Sequence, residues 1–334
     1  MEKRDLARIL QAALEAFVVG DALGAPVEYM PREQLVERLG FVNDLLDPRQ
    51  SYIHQYLPKG SVTDDTSQLL VVWQQYLLDK KVTLEGTVKA LLQWYREAPP
   101  HIKKCIGPTS TKALKRLEEG ESPEITGSAG ITCGGVMRVP AVAICTPRAQ
   151  YAELAENVYL SLLPTHNTNI ALEAATALAF AIHAAMEGAE RDDVIEKAFS
   201  GAVIGRRRGV TFVGASTLAR LKIIITTLPT LKSPKCLMEY LYNVIGTEMV
   251  ANQVVPVVFG LSFWAQQNPW QAITMGASLG GDTDTIAALT GFLATLLNAG
   301  NHFIPQEIVD YVLKVNNIDV QKLAKLTVDV FWNT

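Results

Sequence analysis

Apolar residues recur in this chain at three- and four-residue steps almost from end to end, a period that fits helices and little else. Leu6, Ile9, Leu10, Ala13, Leu14 and Phe17 set the pattern near the start. Leu69, Leu70, Trp73, Tyr76 and Leu77 repeat it, and so do Ile286, Leu289, Phe292, Leu293 and Leu296. Between them the alanine-rich run 171–186 offers small side chains that permit close helix packing. Sustained period-two alternation, the mark of a half-buried strand, is hard to find anywhere. The spacing predicts an all-α fold whose first helix is capped by Asp5. Irregular stretches fall at 44–62, 97–111, 120–138, 161–169 and 276–285, where Pro, Gly, Ser, Thr and Asn gather. Each is followed at once by core-type sequence, so 1–334 is expected to form a single domain.

Apolar residues at 49% and charged ones at 19% describe a chain with a large core. A net charge of −4 gives no basic face for nucleic acid. The one sharp basic run, Arg206-Arg207-Arg208, is expected to be solvated. Four cysteines without CxxC spacing argue against a zinc knuckle or a disulfide framework. The polar opening Met1-Glu2-Lys3-Arg4-Asp5 leads into an amphipathic run and not an apolar one, so no signal peptide is expected there. The apolar run 254–265 falls short of the roughly 20 residues a bilayer needs. No membrane association is expected, the cytoplasm is the expected location, and the composition fits a monomer or a homodimer.

Two acidic-threonine clusters stand out within this helical frame: Thr63-Asp64-Asp65-Thr66 and Asp282-Thr283-Asp284-Thr285, each just ahead of an apolar helical run. Thr63 or Ser61 reads as an N-cap, and acidic residues suit a first helical turn. Gly280 and Gly281 precede the second cluster and give a tight turn in which carboxylates can converge. If folding joins the clusters, like charges repel by about 4 kcal/mol per close pair at an effective dielectric of 20. Two divalent cations offset four carboxylates. Oxygen-only donors, with no clustered His or Cys, suit Mg²⁺ or Mn²⁺ rather than zinc or copper. His166 is the one histidine in a loop setting fit for a site; His54, His101, His183 and His302 read as scattered structural residues.

The motifs also come in a particular order. Gly20-Asp21-Ala22-Leu23-Gly24-Ala25-Pro26-Val27-Glu28 is followed by Gly60-Ser61-Val62-Thr63-Asp64-Asp65-Thr66, then by Gly134-Gly135-Val136-Met137-Arg138 and Thr165-His166. Gly280-Gly281-Asp282-Thr283-Asp284-Thr285-Ile286-Ala287-Ala288 closes the series. Over 20 to about 300 this set resembles the ADP-ribosylglycohydrolase family, which includes the dinitrogenase-reductase-activating glycohydrolases. The resemblance implies an all-α orthogonal multi-helix bundle with a central cleft for two Mg²⁺ or Mn²⁺ ions. It places metal ligands at Thr63, Asp64, Asp65, Asp282, Asp284 and Thr285, and a catalytic or gating carboxylate at Glu28, with Asp65 and Asp284 sharing the catalytic role. It places substrate contacts at Cys105, Gly107, Cys133, Gly134, Gly135, Met137 and His166.

The implied reaction is metal-dependent cleavage of the C1 glycosidic bond of an ADP-ribosyl group. The ribose diol would rest on the ions and a metal-held water would attack, with Glu28 as base or as stabiliser of the cationic ring. The chain departs from the family at two places. Cys105-Ile106-Gly107 stands where arginine-type relatives carry Asp-Ile-Gly, and Thr132-Cys133-Gly134 replaces Gly-Asn-Gly. Other readings stay open: a ribosyl hydrolase acting on a free nucleoside or nucleotide-like molecule, a non-catalytic protein like the J-type crystallins, and a two-metal phosphohydrolase.

Overall fold

The alanine-rich run forms a helix at the centre of the molecule. In the computed structural model, which describes residues 3–332, this helix spans Asn169–Met186 and every one of its side chains is buried. Alanine makes that possible, because a methyl group lets neighbouring helices approach closely from all sides. Thr168 caps the helix, its Oγ1 accepting from Ala171 N at 3.3 Å. The helix is long and apolar enough to cross a membrane, yet it lies wholly inside the protein. No strand forms among the described residues; two isolated bridges, Thr132 with Val250 and Thr168 with Val210, tie loops together.

The first helix, Lys3–Gly24, packs along the helix Thr283–Leu297 near the other end of the chain. Their backbones touch because of glycine. A Cβ on Gly20 would lie 2.5 Å from Ala287 O, and one on Gly24 would lie 2.3 Å from Thr283 O. Asp64–Asp79 forms the helix after the first acidic cluster, and Val320–Phe331 also packs on the first helix. Remote parts of the chain therefore share one core. Trp73, for example, donates from Nε1 to Thr327 Oγ1 at 2.7 Å.

The structure corrects three local expectations. The stretch 161–169 is mostly helical, because Tyr151–His166 runs through Pro164 before the chain turns. Burial of Ser161 through His166 overrides the helix-breaking tendency of the proline. Asp5 sits within the first turn and not at the cap, since the helix already includes Lys3. The basic run is not simply solvated. Arg206 Nη1 lies 3.0 Å from Glu173 Oε2 on the central helix, and Arg208 Nη1 lies 2.6 Å from Glu156 Oε2. Glu173 is buried, and a buried carboxylate needs such a partner.

Candidate metal centre and cleft

Close packing of the first helix on Thr283–Leu297 brings Asp21 and Glu28 beside the second acidic cluster. Asp21 then fastens the first cluster to them. Its carboxylate accepts from Thr63 N at 3.0 Å, from Thr66 N at 3.0 Å and from Thr66 Oγ1 at 2.5 Å. Thr63 is the N-cap of Asp64–Asp79, its Oγ1 accepting from Asp65 N at 3.2 Å. Gln68, one turn along, donates to Asp64 Oδ2 at 2.8 Å. On the other side the Gly280–Gly281 turn has φ of +84° and +85°. A Cβ on Gly281 would meet Thr247 O at 2.2 Å, so only glycine fits both the conformation and the space. Asp282 N donates to Thr247 O at 2.8 Å, and Thr285 N donates to Asp284 Oδ1 at 2.9 Å.

The result is a crowd of buried carboxylates. Asp64, Asp65, Asp282 and Asp284 are each buried, and among the described residues no Lys or Arg forms an ion pair with any of them. Burial, followed by the charge of Asp284, pushes Asp64, Asp65 and Asp282 well above the usual carboxylate range. Asp65 Oδ1 is buried with no hydrogen-bond partner. An orphaned carboxylate oxygen amid unpaired acids is the donor a hard cation takes. The residues therefore fit Mg²⁺ or Mn²⁺ held through Asp64, Asp65, Asp282, Asp284 and Thr285.

A pH dependence follows for protein stripped of divalent ions. The same two causes raise the Asp21 carboxyl from an ordinary 3.8 to about 7. A carboxyl whose folded pKa is raised keeps its proton longer in the native state. It therefore favours folding at low pH, and that contribution is lost as pH rises from about 4 toward about 7. Urea midpoints in chelator are expected to fall between pH 5 and pH 8. Added Mg²⁺ or Mn²⁺ is expected to restore the pH 8 midpoint, because an ion that binds only the native state stabilises it.

The cluster opens into a cleft lined by Glu28 and the four aspartates. Cys105, Gly107, Cys133, Gly134 and Met137 line it too, together with Thr285. Cys133 Sγ donates to Asp282 Oδ2 at 2.8 Å and lies 3.7 Å from Thr285 Oγ1, so this thiol orients the second cluster. Three expected residues fall outside the lining. Thr63 lies beneath it, with Oγ1 3.5 Å from Asp65 Oδ2. Gly135 is buried behind Gly134. His166 is a correction: it is fully buried, and a Cβ on Gly134 or Gly135 would strike its ring. Its Nε2 meets Thr132 Oγ1 and its Nδ1 meets Thr165 Oγ1, both at 2.9 Å. Burial, then the nearby Arg138 charge, lowers its pKa to about 3, leaving a neutral ring that props the glycine turn from behind.

Several residues that matter here gave little signal in sequence. Arg138 is fully buried and donates to Gln68 Oε1 at 3.0 Å, Gly134 O at 2.9 Å, Ser161 O at 3.0 Å and Thr165 Oγ1 at 2.8 Å. It thus links the glycine turn through Gln68 to Asp64. His54 is no scattered residue either. It is buried, its Nε2 pairs with Glu28 Oε2, and ligand atoms of Glu28, His54 and Asp284 all lie within 4.8 Å of one another. Burial, then the charge of Asp284, pushes Glu28 up, whereas burial pushes His54 down. Asp21 stood inside a glycine-rich motif; His54 sat in an aperiodic loop that only tertiary structure carries to Glu28.

Comparison with known proteins agrees with this architecture. The model of the ADP-ribosylglycohydrolase family matches residues 2–333. The Escherichia coli (strain K12) protein YegU is 29% identical over 325 residues, covering 95% of each chain. The ADP-ribosylarginine hydrolase Tri1 of Pseudomonas putida (strain GB-1) is 28% identical, over 94% of this chain and 76% of its own. A solved structure titled ADP-ribosylglycohydrolase-related protein complex superposes with a TM-score of 0.66 at 22% identity, covering 99% of both chains, and shares the all-α fold.

Proposed function

Because this chain belongs to the ADP-ribosylglycohydrolase family and is a hydrolase of ADP-ribose linkages, we propose that it uses the joined acidic clusters to cleave the C1 bond of an ADP-ribosyl group. The observation that carries this reading is the convergence of Asp64, Asp65, Asp282, Asp284 and Glu28 on one cleft. Two Mg²⁺ or Mn²⁺ ions, when bound, supply positive charge for a vicinal diol and polarise water. The chain's own part is to hold the ligand oxygens in place through Asp21, Gln68 and Cys133, and to present Glu28 to the sugar. As a carboxylate, Glu28 can accept a proton from the attacking water or stabilise positive charge on the ring as the aglycone leaves. In this proposal 1–334 acts as one domain, since the site draws on both ends of the chain. The cytoplasm is its proposed location, consistent with four free cysteines.

The cleft bears on the aglycone as well. Cys105 lines it where a carboxylate would meet a guanidinium, and burial pushes this thiol far above its ordinary range. A neutral wall favours a neutral leaving group over the arginine named for Tri1. A second reading, a free ribosyl compound as substrate, draws on another observation: among the described residues no Lys or Arg lines the cleft. A diphosphate would be met by the ions and by the start of the helix Pro108–Glu118, whose Thr109 and Ser110 line the wall.

Labelled proteins carrying arginine-linked or hydroxyl-linked ADP-ribose, assayed beside a panel of nucleosides, separate these readings. Release from the hydroxyl-linked protein, ahead of the arginine-linked one, is expected. Turnover confined to nucleosides would refute the ADP-ribosyl substrate.

A further inference from the structure

We propose that His54 is a positioning residue for Glu28, holding one carboxylate oxygen so that the other faces the cleft. This rests on the reading of Glu28 given above. Glu28 lines the cleft, and its Oε2 is bound by His54 Nε2, which leaves Oε1 for the substrate side. A carboxylate can only accept, so Nε2 carries the ring proton when Glu28 is ionised. The other ring nitrogen must then accept, and Tyr56 supplies the donor, its hydroxyl 3.2 Å from Nδ1.

The chain of contacts continues outward. Cys105 Sγ lies 3.6 Å from the Tyr56 hydroxyl and 3.9 Å from His54 Nδ1, and donates to His101 O at 3.4 Å. With the thiol proton committed to His101 O, the Tyr56 proton is free for His54. Ser51 Oγ accepts from His54 N at 3.0 Å and from Ile53 N at 3.3 Å, which fixes the loop carrying the imidazole. Lys104 Nζ lies 4.7 Å from the centre of the Tyr56 ring and covers the outer face.

Glu28 needs such a tether because it stands between two claims. Asp284 lies close enough for Glu28, His54 and Asp284 to offer ligand atoms within 4.8 Å of one another. Cations gathered by Asp284 would draw an untethered Glu28 into their shell, away from the anomeric carbon. His54 opposes that pull with a directed N–H from a buried ring, and small losses of alignment at a reacting centre are costly.

The test compares the full-length, metal-loaded protein with His54→Gln, His54→Leu and Tyr56→Phe. Glutamine keeps an N–H near the position of Nε2; leucine keeps bulk alone. His54→Leu is expected to lower kcat about 10- to 100-fold, the scale seen when an orienting partner is removed. KM and the Mn²⁺ dissociation constant should stay within about twofold of wild type, and His54→Gln should recover most of the lost kcat. Tyr56→Phe should fall between, because the ring loses only its tautomer-fixing donor.

Crystal structures with Mn²⁺ should show the Glu28 carboxylate against residue 54 in wild type and His54→Gln, and swung toward Asp284 in His54→Leu. A leucine variant with wild-type kcat and an unmoved Glu28 overturns the proposal. So does Mn²⁺ affinity that falls in step with kcat, which would make His54 a ligand. The crystallographic arm decides the tether even if wild type proves inert on ADP-ribosyl substrates, a result that would sink the proposed function instead.

Discussion

Asp284→Ala is expected to lower turnover of an ADP-ribosyl substrate by about 10³-fold or more, the scale lost when a preorganised electrostatic element is removed from a site. Uptake of Mg²⁺ or Mn²⁺, followed by calorimetry, should weaken in parallel. The choice of residue follows from the electrostatics. The charge of Asp284 acts on Asp21, Glu28, Asp64, Asp65 and Asp282, and in each it is the next cause after burial. No other side chain in the cluster reaches so many neighbours.

That position makes the substitution two-edged. Removing one charge from a crowd relieves repulsion of about 4 kcal/mol per close pair at an effective dielectric of 20. Metal-free Asp284→Ala should therefore melt at or above the temperature of metal-free wild type, while its gain on adding Mn²⁺ shrinks. Loss of activity with a raised apo melting point separates a functional carboxylate from a structural one. Turnover unchanged in Asp284→Ala would remove the site from this cluster altogether.

Much of this was legible in the sequence, and the reason is local. Helices announce themselves through a period of three to four residues, and Leu6 to Phe17 or Ile286 to Leu296 carry it openly. The two acidic clusters were equally plain, because Thr63 caps its own helix and Gly280–Gly281 turns directly into Asp282. What stayed hidden depends on contacts between remote segments. His54 looked isolated because its partner lies 26 residues away, at the end of another element. Arg138 gives no local sign of its burial, because the carbonyl, amide and hydroxyl oxygens it serves include Gln68 Oε1, 70 positions away. His166 misled for a related reason. It ends a helix whose proline signalled a loop, and its burial behind Gly134 emerges only when the glycine turn closes over it.

Glu28→Gln is the variant expected to separate chemistry from metal binding. Glutamine has almost the same shape and still places an oxygen or an N–H at each of the two positions. It cannot accept a proton as a base, nor carry the negative charge that would face a cationic sugar ring. Turnover is expected to fall about 10²- to 10⁴-fold, the usual contribution of a positioned acid or base. The Mn²⁺ isotherm should stay close to wild type, since Asp64, Asp65, Asp282, Asp284 and Thr285 remain in place. Metal-free stability at pH 8 should rise, because the substitution removes a buried carboxyl held up by burial and by four aspartates, Asp284 foremost. A matched pair of measurements checks this: single-turnover release of labelled ADP-ribose, and Mn²⁺ titration of the same preparation. Parallel loss of metal and turnover would make Glu28 a ligand, and full turnover would leave the water or the ring to be served by another group. Only loss of turnover with metal retained fits a carboxylate that His54 holds at the edge of the cluster and aims at the sugar.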